Sequence, residues 1–225
     1  MDAVATLATL TNATIRFDGQ IALSVKRLAI AKGARLAVTG ESGSGKSTLL
    51  NALCGLERLN GGELRWGETI VSELGEFERD RFRGERIGLI MQEFYLYPDL
   101  NALDNALLSA SFRFWRVPAA LKARAAYLLK RLGVKADQAV HTLSRGEKQR
   151  VAIARACLSK PEAIIADEPT ASLDSRNAAE AVKALLELAG EIGCALVCAS
   201  HDPALIAKMD HRLKLKKGET IEADF

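Results

Sequence analysis

Leu36-Ala37-Val38-Thr39-Gly40-Glu41-Ser42-Gly43-Ser44-Gly45-Lys46-Ser47-Thr48 carries the clearest signal in the chain. From Gly40 to Ser47 it fits the pattern G-x-x-x-x-G-K-[ST] without a mismatch. The apolar run Leu36 to Val38 before it suits a buried parallel strand. The apolar segment Thr48 to Leu56 after it predicts a helix. Strand, glycine-rich loop and helix in that order are the context in which the pattern binds phosphate. Glycines let backbone N–H groups turn inward around phosphate oxygens. The helix start adds unbonded N–H donors and a positive dipole end. Lys46 then reaches the β- and γ-phosphates, and the Ser47 hydroxyl is placed for Mg²⁺. Gly40, Glu41, Ser42, Gly43, Ser44, Gly45, Lys46, Ser47 and Thr48 are therefore the expected phosphate-binding residues.

Working outward, Ala163-Ile164-Ile165-Ala166 is an apolar strand that ends in Asp167-Glu168. Parallel sheets present their active groups at the carboxyl ends of strands. Asp167 is thus a candidate for holding Mg²⁺, and Glu168 for polarising the water that attacks the γ-phosphate. A helix over Asn177 to Glu191 and a strand over Cys194 to Ala199 follow. Alternating strand and helix argue for a mainly parallel sheet. Leu7 to Val38 reads as short strands, with turns at Asp18-Gly19 and Lys32-Gly33. Asn60-Gly61-Gly62 reads as a turn before a small hairpin over Glu63 to Ile70. The charged stretch Ser72 to Arg86 is helical in period. Residues 101–158 are rich in helix formers, with Pro118 opening and Gly133 closing a helix over Pro118 to Leu132. The tail after Lys208 reads as short, with a turn at Lys217-Gly218.

Composition excludes several classes. The 225 residues carry a formal charge of +3, which leaves no electrostatic footprint for nucleic acid. The longest apolar stretch, near Ala184 to Ser200, is interrupted by Glu187 and Glu191, too polar for a membrane span. MDAVATLATLTNATIRFDG has neither the basic start nor the apolar run of a secretory signal, so a cytoplasmic location is expected. Cys54, Cys157, Cys194 and Cys198 form no C-x-x-C pair and read as small buried hydrophobes.

Leu143-Ser144-Arg145-Gly146-Glu147-Lys148-Gln149-Arg150-Val151-Ala152-Ile153-Ala154-Arg155-Ala156 stands just before the acidic strand. It resembles the signature, usually LSGGQ, of ABC (ATP-binding cassette) transporter nucleotide-binding subunits, together with the helix that follows it. The resemblance covers nearly the whole chain. Gln92 is similar to the family's Q-loop glutamine, a Mg²⁺ and water sensor. Ser172-Leu173-Asp174 is similar to its D-loop, and His201 to its switch histidine. Phe17 stands where the family stacks an aromatic on adenine, although a core phenylalanine fits that position as well.

The resemblance implies an α/β P-loop NTPase core with a mainly parallel sheet, an N-terminal antiparallel β lobe and an inserted helical subdomain. One domain over 1–225 is expected, its RecA-like core at about 1–91 and 160–225 and the helical subdomain at about 92–159. It implies an ATPase whose catalytic residues are Glu168, His201 and Gln92. Nucleotide contacts extend to Phe17, Ser144, Gly146 and Asp174, and the Mg²⁺ set is Ser47, Gln92 and Asp167. It implies a second ATPase subunit, an identical copy in the simplest case, with each ATP held between Lys46 of one and Ser144 of the other. It also implies an integral membrane permease subunit, which places the chain peripherally on the inner face of the cell membrane.

Two positions depart from LSGGQ: Arg145 replaces a glycine and Glu147 the glutamine. Ser144 and Gly146 remain, so the donors survive. The Arg145 side chain is left to point to solvent or to add charge near the phosphates. Gln92 to Leu100, followed by Leu103-Asp104-Asn105, looks like the LolD, MacB and FtsE group, while Thr170 to Asp174 departs from that group's TGNLD. The alternatives are a nucleotide-dependent scaffold with little turnover and a soluble ABC ATPase outside transport.

Overall fold

The computed structural model describes residues 5–224; residues 1–4 and 225 of the expected domain lie outside the described residues. The first two strands, β1 (Thr6–Phe17) and β2 (Gln20–Ala31), form a hairpin. Asp18 and Gly19 at its turn both have positive φ, 49° and 79°. That is the backbone whose twist matches a two-residue hairpin. The expected short strands are therefore two long ones of 12 residues each. The alternation of buried and exposed positions slips within each strand, at Asn12 (φ 48°) in β1 and at the exposed pair Lys26-Arg27 in β2, without ending either one.

The remaining strands are β3 (Arg35–Thr39), β4 (Gly61–Trp66), β5 (Thr69–Ile70), β6 (Ile87–Ile90), β7 (Ala163–Asp167), β8 (Ala195–Ala199), β9 (His211–Lys216) and β10 (Glu219–Asp224). All ten share one sheet in the order β5-β4-β1-β2-β10-β9-β3-β8-β7-β6. The stretch β9-β3-β8-β7-β6 is parallel throughout. The other half is antiparallel apart from the single β2–β10 pairing. The tail is thus no appendage. β9 inserts beside β3 because Leu213 and Leu215 are buried while Arg212, Lys214 and Lys216 face water.

Among the described residues seven α-helices connect the strands: α1 (Lys46–Leu53), α2 (Glu76–Arg86), α3 (Ala102–Ser111), α4 (Ala119–Arg131), α5 (Arg145–Cys157), α6 (Ser175–Ile192) and the single turn α7 (Pro203–Ile206). The α1 helix starts and stops earlier than expected. Gly45 at φ 97° swings the chain into it, and Gly55 at φ 64° ends it, the left-handed residue that follows many helices. Gly61 and Gly62 open β4 rather than forming a turn. Gly62 sits so close to Asn12 that a Cβ there would lie 2.3 Å from its carbonyl oxygen. α4 begins after Pro118 and is followed by Gly133 at φ 69°.

Two cores lie on opposite faces of the sheet. Ile164 and Ala166 of β7, with Leu196 and Cys198 of β8, pack against α3, α4, α5 and α6. Ala163 and Ile165, with Ala195, Val197 and Ala199, face α1 and the β1–β2–β4 lobe. This is the period-two pattern of a strand covered on both sides. All four cysteines are buried and free. Burial pushes the thiol pKa of Cys194 up to about 11 and that of Cys157 up to about 12. Among the described residues, no helix is long and apolar enough to cross a membrane.

Candidate functional site

The parallel half of the sheet runs its strands the same way, so their carboxyl ends share one edge. β3 delivers the phosphate loop there, β6 delivers Gln92, β7 delivers Asp167 and Glu168, and β8 delivers His201. A cavity of about 1080 Å³ opens at that edge. Its walls include Phe17, Ser42, Gly43, Gly45, Lys46, Ser47, Thr48, Gln92, Asp167, Glu168 and His201.

The loop geometry depends on glycine where the chain has it. Gly40 has φ 145°, and a Cβ there would lie 2.3 Å from the Leu215 carbonyl oxygen and 2.5 Å from Ser44 Oγ. Gly45 has φ 97°, and a Cβ would press on the Ala22 carbonyl at 2.9 Å. The first N–H to bond back into α1 is that of Leu49, to Gly45 O at 2.9 Å. The N–H groups of the first helical turn therefore have no intrahelical acceptor. Lys46 is 7% exposed. Its Nζ donates to Gly40 O at 2.9 Å and Glu41 O at 3.1 Å, and lies 3.0 Å from His201 Nε2. Lys46 and His201 thus meet at hydrogen-bond distance beside the phosphate loop.

Glu168 lies just past the end of β7 with φ 46°, a region side chains avoid unless the surroundings impose it. The imposing contacts are visible. Its N–H donates to Ala199 O at 2.9 Å, and its carboxylate accepts from the His201 N–H at 3.4 Å. His201 Nε2 lies 3.4 Å from Glu168 Oε1. Lys46, Glu168 and His201 thus form one cluster, with Asp167 and Gln92 on the same cavity wall. Phe17 is 48% exposed at the end of β1. Its ring belongs to the cavity and not to the core.

Ser144 and Gly146 are elsewhere, and Asp174 stands at the rim, between Leu173 and Ser175 of the cavity wall. None of them lines the cavity. Ser144 caps α5, and the cap is reciprocal: Glu147 N donates to Ser144 Oγ at 3.3 Å, while Glu147 Oε2 accepts from Ser144 N at 2.9 Å and from Ser144 Oγ at 2.7 Å. These bonds hold the Glu147 carboxyl below its ordinary pKa, the Ser144 hydroxyl contributing most. Asp174 caps α6 by accepting from Arg176 N and Asn177 N. Its carboxyl is held low as well, first by the Asn177 side chain at 2.6 Å. Gly146 is packed on that asparagine, and a Cβ there would lie 2.1 Å from Asn177 Oδ1. Arg145 leans its guanidinium toward Ser172 O at 3.5 Å, the outer limit of a hydrogen bond.

Lys217 and Gly218 escaped the sequence reading as site residues. They form the turn between β9 and β10 and line the cavity beside Phe17, Ile21 and Ala22. Gly218 N donates to Ser44 O at 2.9 Å, and Ser24 N donates to Gly218 O at 2.7 Å. The turn therefore buttresses the phosphate loop. Its only signal in the sequence was the Lys-Gly pair, which marks any hairpin.

Comparison with known proteins agrees with this geometry. A family model described as ABC transporter matches residues 23–171. The lipoprotein-releasing system ATP-binding protein LolD of Hydrogenovibrio crunogenus is 41% identical over 190 residues, 83% of this chain and 82% of its own length. LolD 2 of Rhodospirillum rubrum is 39% identical, covering 92% of each. A solved dimeric post-hydrolysis state of the ATP-binding cassette MJ0796, bound to ADP and Pi, superposes with a TM-score of 0.87 at 32% identity, covering 97% of this chain and 98% of that one.

Proposed function

This chain belongs to the ABC transporter family and is an ATP-binding, ATP-hydrolysing subunit of a membrane transport system; from that premise we propose which of its residues do the work and what they work with. The carrying observation is the meeting of four parallel strand ends, bearing Lys46, Gln92, Asp167, Glu168 and His201, at one cavity. Phe17 stacks on the base. The loop N–H groups and Lys46 hold the β- and γ-phosphates. Glu168 orients the attacking water and accepts its proton as the water oxygen bonds to the γ-phosphorus and the bond from that phosphorus to the β–γ bridging oxygen breaks, releasing ADP. His201 donates to a γ-phosphate oxygen and is steadied by Glu168. The oxygens of Ser47, Asp167 and Gln92 suit Mg²⁺, which favours one or two carboxylates beside phosphate oxygens. When bound, that ion neutralises charge building on the transferring phosphoryl group.

The pairing partner is a second copy of this chain. Ser144 and Gly146 lie outside the chain's own cavity, so they are available to the triphosphate held by the other subunit. ATP then favours the closed pair because both faces bind it, and hydrolysis removes that bias. The solved dimer of MJ0796 supports this reading. The helical subdomain, about 92–159, passes the cycle to an integral membrane subunit, with Gln92 at the joint. The LolD relatives support a partner of the same group and a peripheral place for the chain on the inner face of the cell membrane.

Glu168→Gln tests the assignment. It keeps the shape and removes the base, so turnover falls by about a hundredfold or more. ATP binding persists and a stable dimer accumulates in MgATP. A monomeric Glu168→Gln protein on gel filtration in saturating MgATP contradicts the model.

A further inference from the structure

The loop between α3 and α4 reads Phe112-Arg113-Phe114-Trp115-Arg116. We propose that it lies against the anionic headgroups of the bilayer, giving the subunit a direct lipid contact besides its protein partner. This rests on the reading of the chain as a subunit working at a membrane.

Three observations converge. The first is aromatic exposure. Trp115 is 100% exposed and Phe112 80%, three positions apart at the loop tip. Single exposed apolar residues are common, but two large exposed rings three positions apart, interleaved with arginines, are the makeup of an interfacial anchor. The second is how the loop is held. Phe114, the middle ring, turns inward and packs on the core of the helical block. Arg113 stacks on it at 5.5 Å, donates to Gly84 O at 2.8 Å and pairs with Glu85 at 3.3 Å. The tip is therefore braced from behind, and its outward rings are presented by a fixed base.

The third is charge. Between Asp104 and Asp137 the chain has no acidic residue and seven cations: Arg113, Arg116, Lys122, Arg124, Lys130, Arg131 and Lys135. Arg124 is taken up by the Cys157 and Leu158 carbonyls, and Arg131 by Glu191. Arg116 and Lys122, on the loop and the first turn of α4, form no side-chain hydrogen bond or ion pair among the described residues. A local excess of unpaired cations around exposed rings complements an anionic surface. The whole-chain charge of +3 conceals this excess because acids elsewhere cancel it.

The chain carries its own reporter. Of its two tryptophans, Trp66 is 0% exposed and donates to Leu53 O, so a change of emission on adding vesicles belongs to Trp115. The full chain is mixed with phosphatidylcholine vesicles, or with phosphatidylcholine vesicles containing phosphatidylglycerol. The expected results are a blue shift and co-sedimentation with the anionic vesicles, little with the neutral ones, and release by salt. Near an anionic surface each basic residue is worth roughly fivefold in binding. Charge reversal at Arg116→Glu and Lys122→Glu together then weakens sedimentation by about tenfold or more. Trp115→Phe abolishes the shift but leaves sedimentation. The proposal falls if sedimentation ignores phosphatidylglycerol or the charge reversal, or if bound protein shows no shift. It also falls if Trp115 is shielded only when a membrane subunit is added in lipid-free detergent, which makes the loop a protein-docking surface. ATP hydrolysis by the vesicle-free protein reports separately on the ATPase reading.

Discussion

The phosphate loop and the Ser144 turn are both helix N-termini, yet they are built in opposite ways. The loop at α1 is open and glycine-rich. Gly45, at its cap position, provides no side-chain bond to the helix, and the first-turn donors have no acceptor within the helix. The turn at α5 is closed on itself. Ser144 and Glu147 satisfy one another in a capping box, and Gly146 is pressed against Asn177. One helix start is shaped to accept an anion. The other is a surface already satisfied by its own side chains, the one proposed above to meet the partner's nucleotide. The difference teaches that two helix starts in one chain can treat their free N–H groups in opposite ways: one leaves them open, the other closes on its own side chains.

The largest effect is expected at the open end. Lys46→Ala removes the cavity's only lysine on the phosphate loop and should abolish measurable ATP turnover, a fall of roughly a thousandfold. ATP affinity, read by titration, should drop with it. Unchanged affinity would break the comparison at its root, because the loop would then not be the nucleotide cradle.

Gly146→Ala probes the closed end, and its effect should be of another kind. The added methyl would lie 2.1 Å from Asn177 Oδ1, whose side chain is tied to Asp174 at 2.6 Å. Overpacking at such a contact costs about 1–3 kcal/mol, read as a lower denaturant midpoint. Turnover and ATP-driven pairing should fall while monomeric ATP affinity stays near wild type. Equal damage to affinity in both variants would mean that the two ends are not separable.

A smaller effect is expected at Lys217. It lines the cavity from the β9–β10 turn, whose Gly218 packs against Ala22, and it has no ion pair among the described residues. Lys217→Ala should raise KM for ATP several-fold and leave kcat unchanged, the mark of a contact made equally in ground and transition states. A matching fall in kcat would move Lys217 into the chemistry.

The two ends were unequally legible in the sequence. Gly40 to Ser47 announced its structure because its glycines, its lysine and the flanking apolar runs are all local signals. Asp167, Glu168, Gln92 and His201 were legible in order, since each follows an apolar run that became a strand. What no local pattern carried was contact between distant segments. Leu213 and Leu215 entered the sheet beside β3, 174 positions from Thr39 by its bond to Leu213 O. Gly218 came to brace Ser44 in the same way. The left-handed backbone of Glu168 is likewise imposed from outside, by β8. Arg145 was open between solvent and phosphate, and only the placement of Ser172 beside it gave its direction.

The smallest effect separates the two ends by pH. The Glu147 carboxyl is held below its ordinary value of 4.5 by bonds from Ser144. A carboxyl with a lowered folded-state pKa stabilises the fold above its unfolded pKa, and that contribution is lost as pH falls through the folded value. A reciprocal cap of this kind is worth about 0.5–1 kcal/mol. Glu147→Gln keeps an acceptor at the cap but cannot titrate. Wild type should therefore be the more stable of the two near neutrality, and its advantage should shrink as pH falls below about 4.5. Denaturant midpoints of the two proteins across that range measure the difference. A constant gap would show that the Ser144 turn is not held by an ionised cap.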